Sequence, residues 1–224
     1  MTLLFDPSLY SGVSLIGLAW TLLTLFLMFS PTGRRLLSNP LGIVIAAAAL
    51  FPSLWLVTSQ IKVLTELTGG IPPLDVRFGY HQPEIAQFAA ALNEGGRKMY
   101  AQFQLGADTL APPGFCCFLM SVYRSTVRSR VVRTLCDAMA FVYLVSVLIA
   151  NTLMPVIILN HPSQDGVVLS TLYWLVPICD MVKYSVHGLA WLIIVTAWLR
   201  QLAGMLTTRK SSGSFPPAGS HDRQ

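Results

Sequence analysis

Apolar residues run along this chain in five blocks, separated by short polar or basic segments. The first extends from about Ser11 to Ser30, the second from about Leu41 to Ile61 behind Pro40, and the third from about Tyr100 to Val122. The fourth covers about Leu135 to Leu159 and the fifth about Val167 to Leu199. A hydrocarbon core of about 30 Å takes roughly 20 helical residues, so each block reads as a transmembrane helix. The fifth is longer than a perpendicular crossing needs and must tilt, kink or project. The first block lacks the flanks of a cleavable signal peptide, with Asp6 before it and Arg34 and Arg35 after it. The pattern predicts an all-α membrane protein, a single bundle of about five transmembrane helices over residues 1–210.

Between the second and third blocks, residues 62–99 form the only substantial segment outside the spans. It opens on a Gly69-Gly70-Ile71-Pro72-Pro73 turn. Leu74 to Tyr80 then alternates apolar and polar residues at period two, which predicts a short strand or extended strip. Pro83 begins a helix in which Ile85, Phe88, Ala89 and Leu92 share one face, and Gly95-Gly96 is read as its stop. This short amphipathic surface helix would lie on the membrane or cap the bundle. The Ser/Gly/Pro-rich tail at 211–224 reads as disordered. No internal repeat supports an inverted-repeat transporter.

Composition agrees with the pattern. Of 224 residues, 54% are hydrophobic and 11% charged, with a mean hydropathy of +0.60, against about 25% charged residues in an ordinary soluble domain. The net charge of +5 would raise nucleic acid as a partner on a soluble domain. Here Arg34, Arg35, Arg124, Arg128, Arg130, Arg133 and Arg200 flank apolar spans, the footprint of topology and anionic headgroups, so no nucleic acid is expected. Ten Lys or Arg fall in the segments after spans one, three and five, and four (Lys62, Arg77, Arg97 and Lys98) fall in the 62–99 segment. That asymmetry places the N-terminus extracytoplasmic or lumenal and the C-terminus in the cytoplasm, as an odd number of spans requires. Cys116, Cys117, Cys136 and Cys179 sit in or at the ends of spans with no metal-ligand spacing and read as small apolar residues.

Ionisable groups inside a membrane are costly, which makes them site candidates. Asp108 lies in span three, Asn151 in span four, and Asp180, Lys183 and His187 in span five at spacings of three and four, along one helix face. Rise per residue brings Asp108, Asn151 and Asp180 with Lys183 to one layer in the outer half of the bundle. Pro112-Pro113, Pro155 and Pro177 cluster around that layer, where each removes an amide donor. One reading is a polar pocket under the 62–97 segment. The other is a set of mutually neutralising charges that glue helices together. His187 has no second histidine at its depth, so neither a metal nor another cofactor is expected. Asp137 stands four residues after Arg133, the spacing of an ion pair within one helix. Hydrolase, metalloprotease and phosphate-loop motifs are missing. The leading function is non-enzymatic binding of a lipid-like molecule or a partner helix at the polar layer. The partners would be membrane lipids, a small hydrophobic ligand or another membrane protein. Two alternatives remain: an enzyme using Asp108, Asp180 and Lys183 for proton transfer on a lipid, and a transporter or assembly subunit of a larger complex.

The strip Leu74-Asp75-Val76-Arg77-Phe78-Gly79-Tyr80, followed by Pro83-Glu84, Leu92, Gly96-Arg97 and Tyr100, resembles a family of small multi-span membrane proteins. In that family an LDxRFGY-like strip leads through a GRxxY-like turn into a helix bearing an acid. The resemblance covers about residues 62–200 and is motif-specific over 74–100. It makes Asp108 the acid and likens Asp137 and Lys183 to later intramembrane residues of the family. The family's Asp-x-x-Glu-Asn pattern is missing, since Ala140 and Phe141 stand in its place. The resemblance implies a shared bundle and no assigned activity.

Overall fold

A computed structural model of the protein describes residues 12–161 and 167–211. Eight α-helices make up the described chain: α1 (Gly12–Phe29), α2 (Pro31–Leu37), α3 (Pro40–Leu67), α4 (Gln82–Ala91), α5 (Glu94–Leu105), α6 (Ala107–Thr126), α7 (Arg130–Leu159) and α8 (Val167–Ser211). Five helical stretches are long and apolar enough to cross a membrane: α1, α3, α5 with α6, α7, and α8. The tail expected to be disordered lies almost wholly outside the described residues.

Local chemistry explains the boundaries. Ser30 and Asn39 cap α2 and α3 with side-chain oxygens, and Pro31 and Pro40 follow them in the first turn, where a missing amide costs nothing. The 31–40 segment, expected as a plain loop, is therefore one short helix. Gly33 is required there: a Cβ would meet the Leu27 Cα at 2.4 Å. Asn93 caps α5 by accepting from the Gly96 amide at 2.7 Å. Gly95-Gly96 thus sit in the first turn of a helix rather than stopping the one before. The third span accordingly begins six residues earlier than Tyr100, at Glu94, and bends at Gly106 between α5 and α6.

Helix α6 is the axis of the bundle, touching α1, α3, α5, α7 and α8. It approaches α3 closely at Gly114, where a Cβ would stand 3.3 Å from the Leu50 Cα. Helix α8 lies mainly against α7 and touches α6 and α4 more lightly. Five of the arginines gather at one end: Arg34, Arg35 and Arg124 line one depression there, and Arg128 and Arg200 another. Asp137 is also at this end, but its partner is Arg124 at 2.7 Å, not Arg133. Arg133 instead donates to the Arg128 carbonyl. A contact across the connection between neighbouring helices fixes α6 against α7, which one within a helix could not do.

The 68–93 segment closes the opposite end. Leu74–Val76 is a single 3₁₀ turn, and no strand occurs among the described residues. Burial there does not follow the alternation: Leu74, Asp75 and Tyr80 are inside while Val76 and Phe78 are exposed, because the turn breaks the period of two. The predicted amphipathic helix is present as α4, and its apolar face points into the bundle. Ile85 and Phe88 are fully buried and Ala89 and Leu92 almost so, and Phe88 meets Tyr100 edge to face at 5.1 Å. The segment is a cap, seated on an apolar cluster that also takes in Leu64, Met154, Ile157 and Val176. A second apolar cluster around Phe115, Met120, Leu144 and Ile194 fills the half toward the basic end.

Candidate functional site

Polar side chains meet where these two apolar clusters adjoin. Helix α8 brings Asp180 and Lys183 one turn apart, and the Lys183 Nζ stands 2.7 Å from the Asp180 Oδ1. Asp180 is 1% exposed and Lys183 8%, so both charges are withdrawn from solvent and each depends on the other. The second oxygen of Asp180 accepts the Tyr80 hydroxyl, which comes from the cap. The Lys183 ammonium also lies 4.9 Å from the centre of the Tyr184 ring, a cation–π distance.

The cap adds a carboxylate of its own. Asp75 accepts at Oδ2 from the Tyr100 hydroxyl at 2.9 Å and from the Gln104 amide, and its backbone carbonyl accepts the Tyr184 hydroxyl. Tyr100, Gln104 and Asp108 follow at intervals of four along α5 and the start of α6, so the third span turns one polar face inward over two turns. Asp108 is half-buried and lies within electrostatic reach of Lys183 and Asp180, with Asn151 of α7 beside it. Asn151 is 1% exposed; its amide oxygen meets no donor, and its amide nitrogen has only the Asp108 carboxylate in reach. The Gln104 Oε1 is likewise buried and unsatisfied. Pro112 and Pro155 stand four residues after Asp108 and Asn151. The amides that would have bonded those two residues' carbonyls are therefore absent.

Four of the five residues singled out from the sequence (Asp108, Asn151, Asp180 and Lys183) thus share one neighbourhood. His187 does not join their hydrogen bonds. It lies one turn further toward the basic end, stacked on Phe115 at 4.3 Å with an interplanar angle of 3°, and it accepts from the Trp191 Nε1 at 3.0 Å. No group of His, Cys, Asp or Glu suited to a metal occurs among the described residues. Asp75, Tyr80, Tyr100, Gln104 and Tyr184 belong to the site although sequence reasoning did not select them for it. The four-residue spacing of Tyr100, Gln104 and Asp108 was the available signal.

Three carboxylates share the site with one ammonium. Burial pushes Asp75 up to about 7, and the neighbouring Asp108 and Asp180 add to the effect. Lys183 and the Tyr100 hydrogen bond offset it only in part. Burial and the adjacent Asp180 also push Tyr80 well above the ordinary phenol range, which keeps it a donor.

The sign of the resulting pH dependence is fixed. Well below the ordinary carboxylate range, Asp75 is protonated whether the chain is folded or unfolded. From about pH 4 to about pH 7 the unfolded chain ionises while the folded one keeps the proton, so the Asp75 contribution lowers stability as pH rises through that window. Thermal unfolding in detergent at pH 5, 6 and 7.5 should show the wild type losing stability with rising pH. Asp75→Asn, which still accepts from Tyr100, should show a flatter dependence. Equal slopes for the two proteins would exclude Asp75 as the titrating group.

Comparison of the chain with family models, with curated proteins and with solved structures finds no match.

Proposed function

We propose that this is a multi-pass membrane protein that binds the polar end of a lipid-like molecule at the Asp108–Asn151–Lys183 layer, beneath the 68–93 cap. The observation that carries this reading is Asn151, a fully buried amide whose oxygen meets no donor and whose nitrogen has only the Asp108 carboxylate in reach. A buried polar group without a partner costs about 1–3 kcal/mol. A headgroup with a hydroxyl or a primary amide supplies a donor and an acceptor together and relieves that cost. Three carboxylates against one ammonium disfavour an anionic headgroup, so the occupant is a neutral or amine-bearing amphiphile. Entry is through the side of the bundle between α6 and α8, whose contact is light, with the apolar tail left along the exposed face of α8.

The basic end faces the cytoplasm in this reading and the cap faces outside or the lumen, as the distribution of Lys and Arg directs. Gly69 and Gly70 adopt positive φ in a turn with open space around both, which suits them to an inserted tag. A tag there should label from outside the cell or from the lumen, while a C-terminal tag reports cytoplasm. Labelling of both from one side would exclude an odd number of crossings.

The binding reading is tested by lipid mass spectrometry on protein purified in mild detergent. Asn151→Leu keeps the branched shape and the number of side-chain heavy atoms and removes both polar atoms. A neutral or amine-bearing amphiphile should co-purify with the wild type, and its retention should fall about tenfold in the variant, the effect of roughly one hydrogen bond. Identical lipid content in the two proteins would contradict the assignment, and a chemically altered lipid after incubation would favour the enzyme reading instead.

A further inference from the structure

At the end of the bundle opposite the cap, the last turn of α6, the 127–129 connection and the first turn of α7 face the far half of α8. A cleft of about 1060 Å³ separates them. We propose that this cleft holds the headgroup of an anionic phospholipid, with Arg128 and Arg200 on its phosphate and the acyl chains against Val132, Leu192 and Ile193. This site is separate from the polar layer and stands or falls without it.

Three features of the cleft specify that occupant. The first is charge. Arg128 and Arg200 both line it, no acidic residue does, and neither arginine is in an ion pair among the described residues. The carboxylate that the described residues bring to this end, Asp137, is held at both oxygens by Arg124 at 2.7 Å and accepts the Tyr123 hydroxyl as well. It leaves the two arginines uncompensated. The positive end of the α7 dipole, capped by Ser129 in the cleft wall, adds to the same sign.

The second feature is the apolar wall. Val127, Val132, Leu192 and Ile193 line the cleft beside the arginines, and Leu192 continues onto the exposed apolar face of α8 with Val195 and Leu199. A free phosphate would satisfy the arginines and leave that wall bare, whereas a phospholipid covers both. Basic groups next to a span are placed where anionic headgroups lie.

The third is that the cleft is preformed. The Gln201 side chain donates to the Thr126 carbonyl at 2.9 Å, tying α8 to the end of α6. The site therefore does not wait on a rearrangement of the helices.

The test is native mass spectrometry of the full chain with dioleoylphosphatidylglycerol or dioleoylphosphatidylcholine added. The wild type should retain the glycerol lipid about tenfold better, on the scale of one to two arginines at a headgroup. The double variant Arg128→Gln/Arg200→Gln should lose that preference. Arg209→Gln/Lys210→Gln, which removes the same charge further along the chain, should keep it. Ala197→Trp places a bulky ring in the cleft with every charge retained and should weaken retention, and a thermal melt of each variant separates this from misfolding. An equal loss in both charge variants would overturn the proposal in favour of diffuse attraction to the basic end. Displacement of the lipid by excess inorganic phosphate would overturn it in favour of a free-anion site. Full retention in Ala197→Trp would place the lipid elsewhere.

Discussion

The ion pair between Lys183 and Asp180 is the constraint on which the rest of the structure turns. Two charges buried at 8% and 1% exposure are tolerated only when they neutralise each other and further hydrogen bonds support the pair. Tyr80 meets one of those needs from the cap, Tyr184 stacks beside the ammonium, and Asp108 lies on the facing helix. Because Tyr80 belongs to the segment between the second and third spans, satisfying Asp180 also fixes the cap. The apolar burial of Phe88, Ile85 and Leu92 then seals the same end.

A bundle organised in this way divides its labour by position. The middle of α6 carries the packing, with Gly114 admitting α3 to close range and Pro112-Pro113 leaving the carbonyls of Asp108 and Thr109 without their helical amides. The capped end concentrates carboxylates, phenols and amides whose hydrogen-bonding capacity is not exhausted. The other end concentrates arginines, with Arg124 spent on Asp137 and Arg128 and Arg200 left over. Polar capacity at one end and positive charge at the other match amphiphiles of different headgroup, which is the basis for separating the two sites.

Much of this was legible in the sequence. Period and length gave five apolar helices, and rise per residue placed Asp108, Asn151 and the Asp180–Lys183 pair at one level. The errors lie where local signals compete. Gly95-Gly96 was read as a helix stop because glycine commonly ends helices, yet Asn93 is a stronger N-cap and starts a new helix there. That reading starts the third span at Tyr100 and leaves out the first turns of α5. The inward face of Tyr100, Gln104 and Asp108 lies within the expected span, but of the three only Asp108 is ionisable inside the membrane and draws attention as a site candidate. Asp75 and Tyr80 fall in the segment that alternation predicts as a short strand or extended strip, and nothing in a period-two pattern says which of its residues a non-membrane segment buries. His187 shares a helix face with Lys183, but stacking on Phe115 competes for its ring and removes it from the polar network. Asp137 was matched to Arg133 by spacing along one helix, while the partner across the connection, Arg124, has no spacing rule to reveal it.

The claim that the buried pair holds the cap is tested most directly by hydrogen exchange of the 68–93 backbone in two variants. Lys183→Met leaves Asp180 charged and unpaired, a loss of the kind that costs about 3–5 kcal/mol in a buried pair. Cap amides should exchange at least about tenfold faster than in the wild type, since each roughly 1.4 kcal/mol of lost stability is a factor of ten. The double variant Lys183→Met/Asp180→Asn removes the stranded charge and keeps an acceptor for Tyr80, so its exchange should return most of the way to the wild-type rate. Unchanged exchange in Lys183→Met, or exchange in the double variant as fast as in the single one, would show that the cap is held by its apolar face alone.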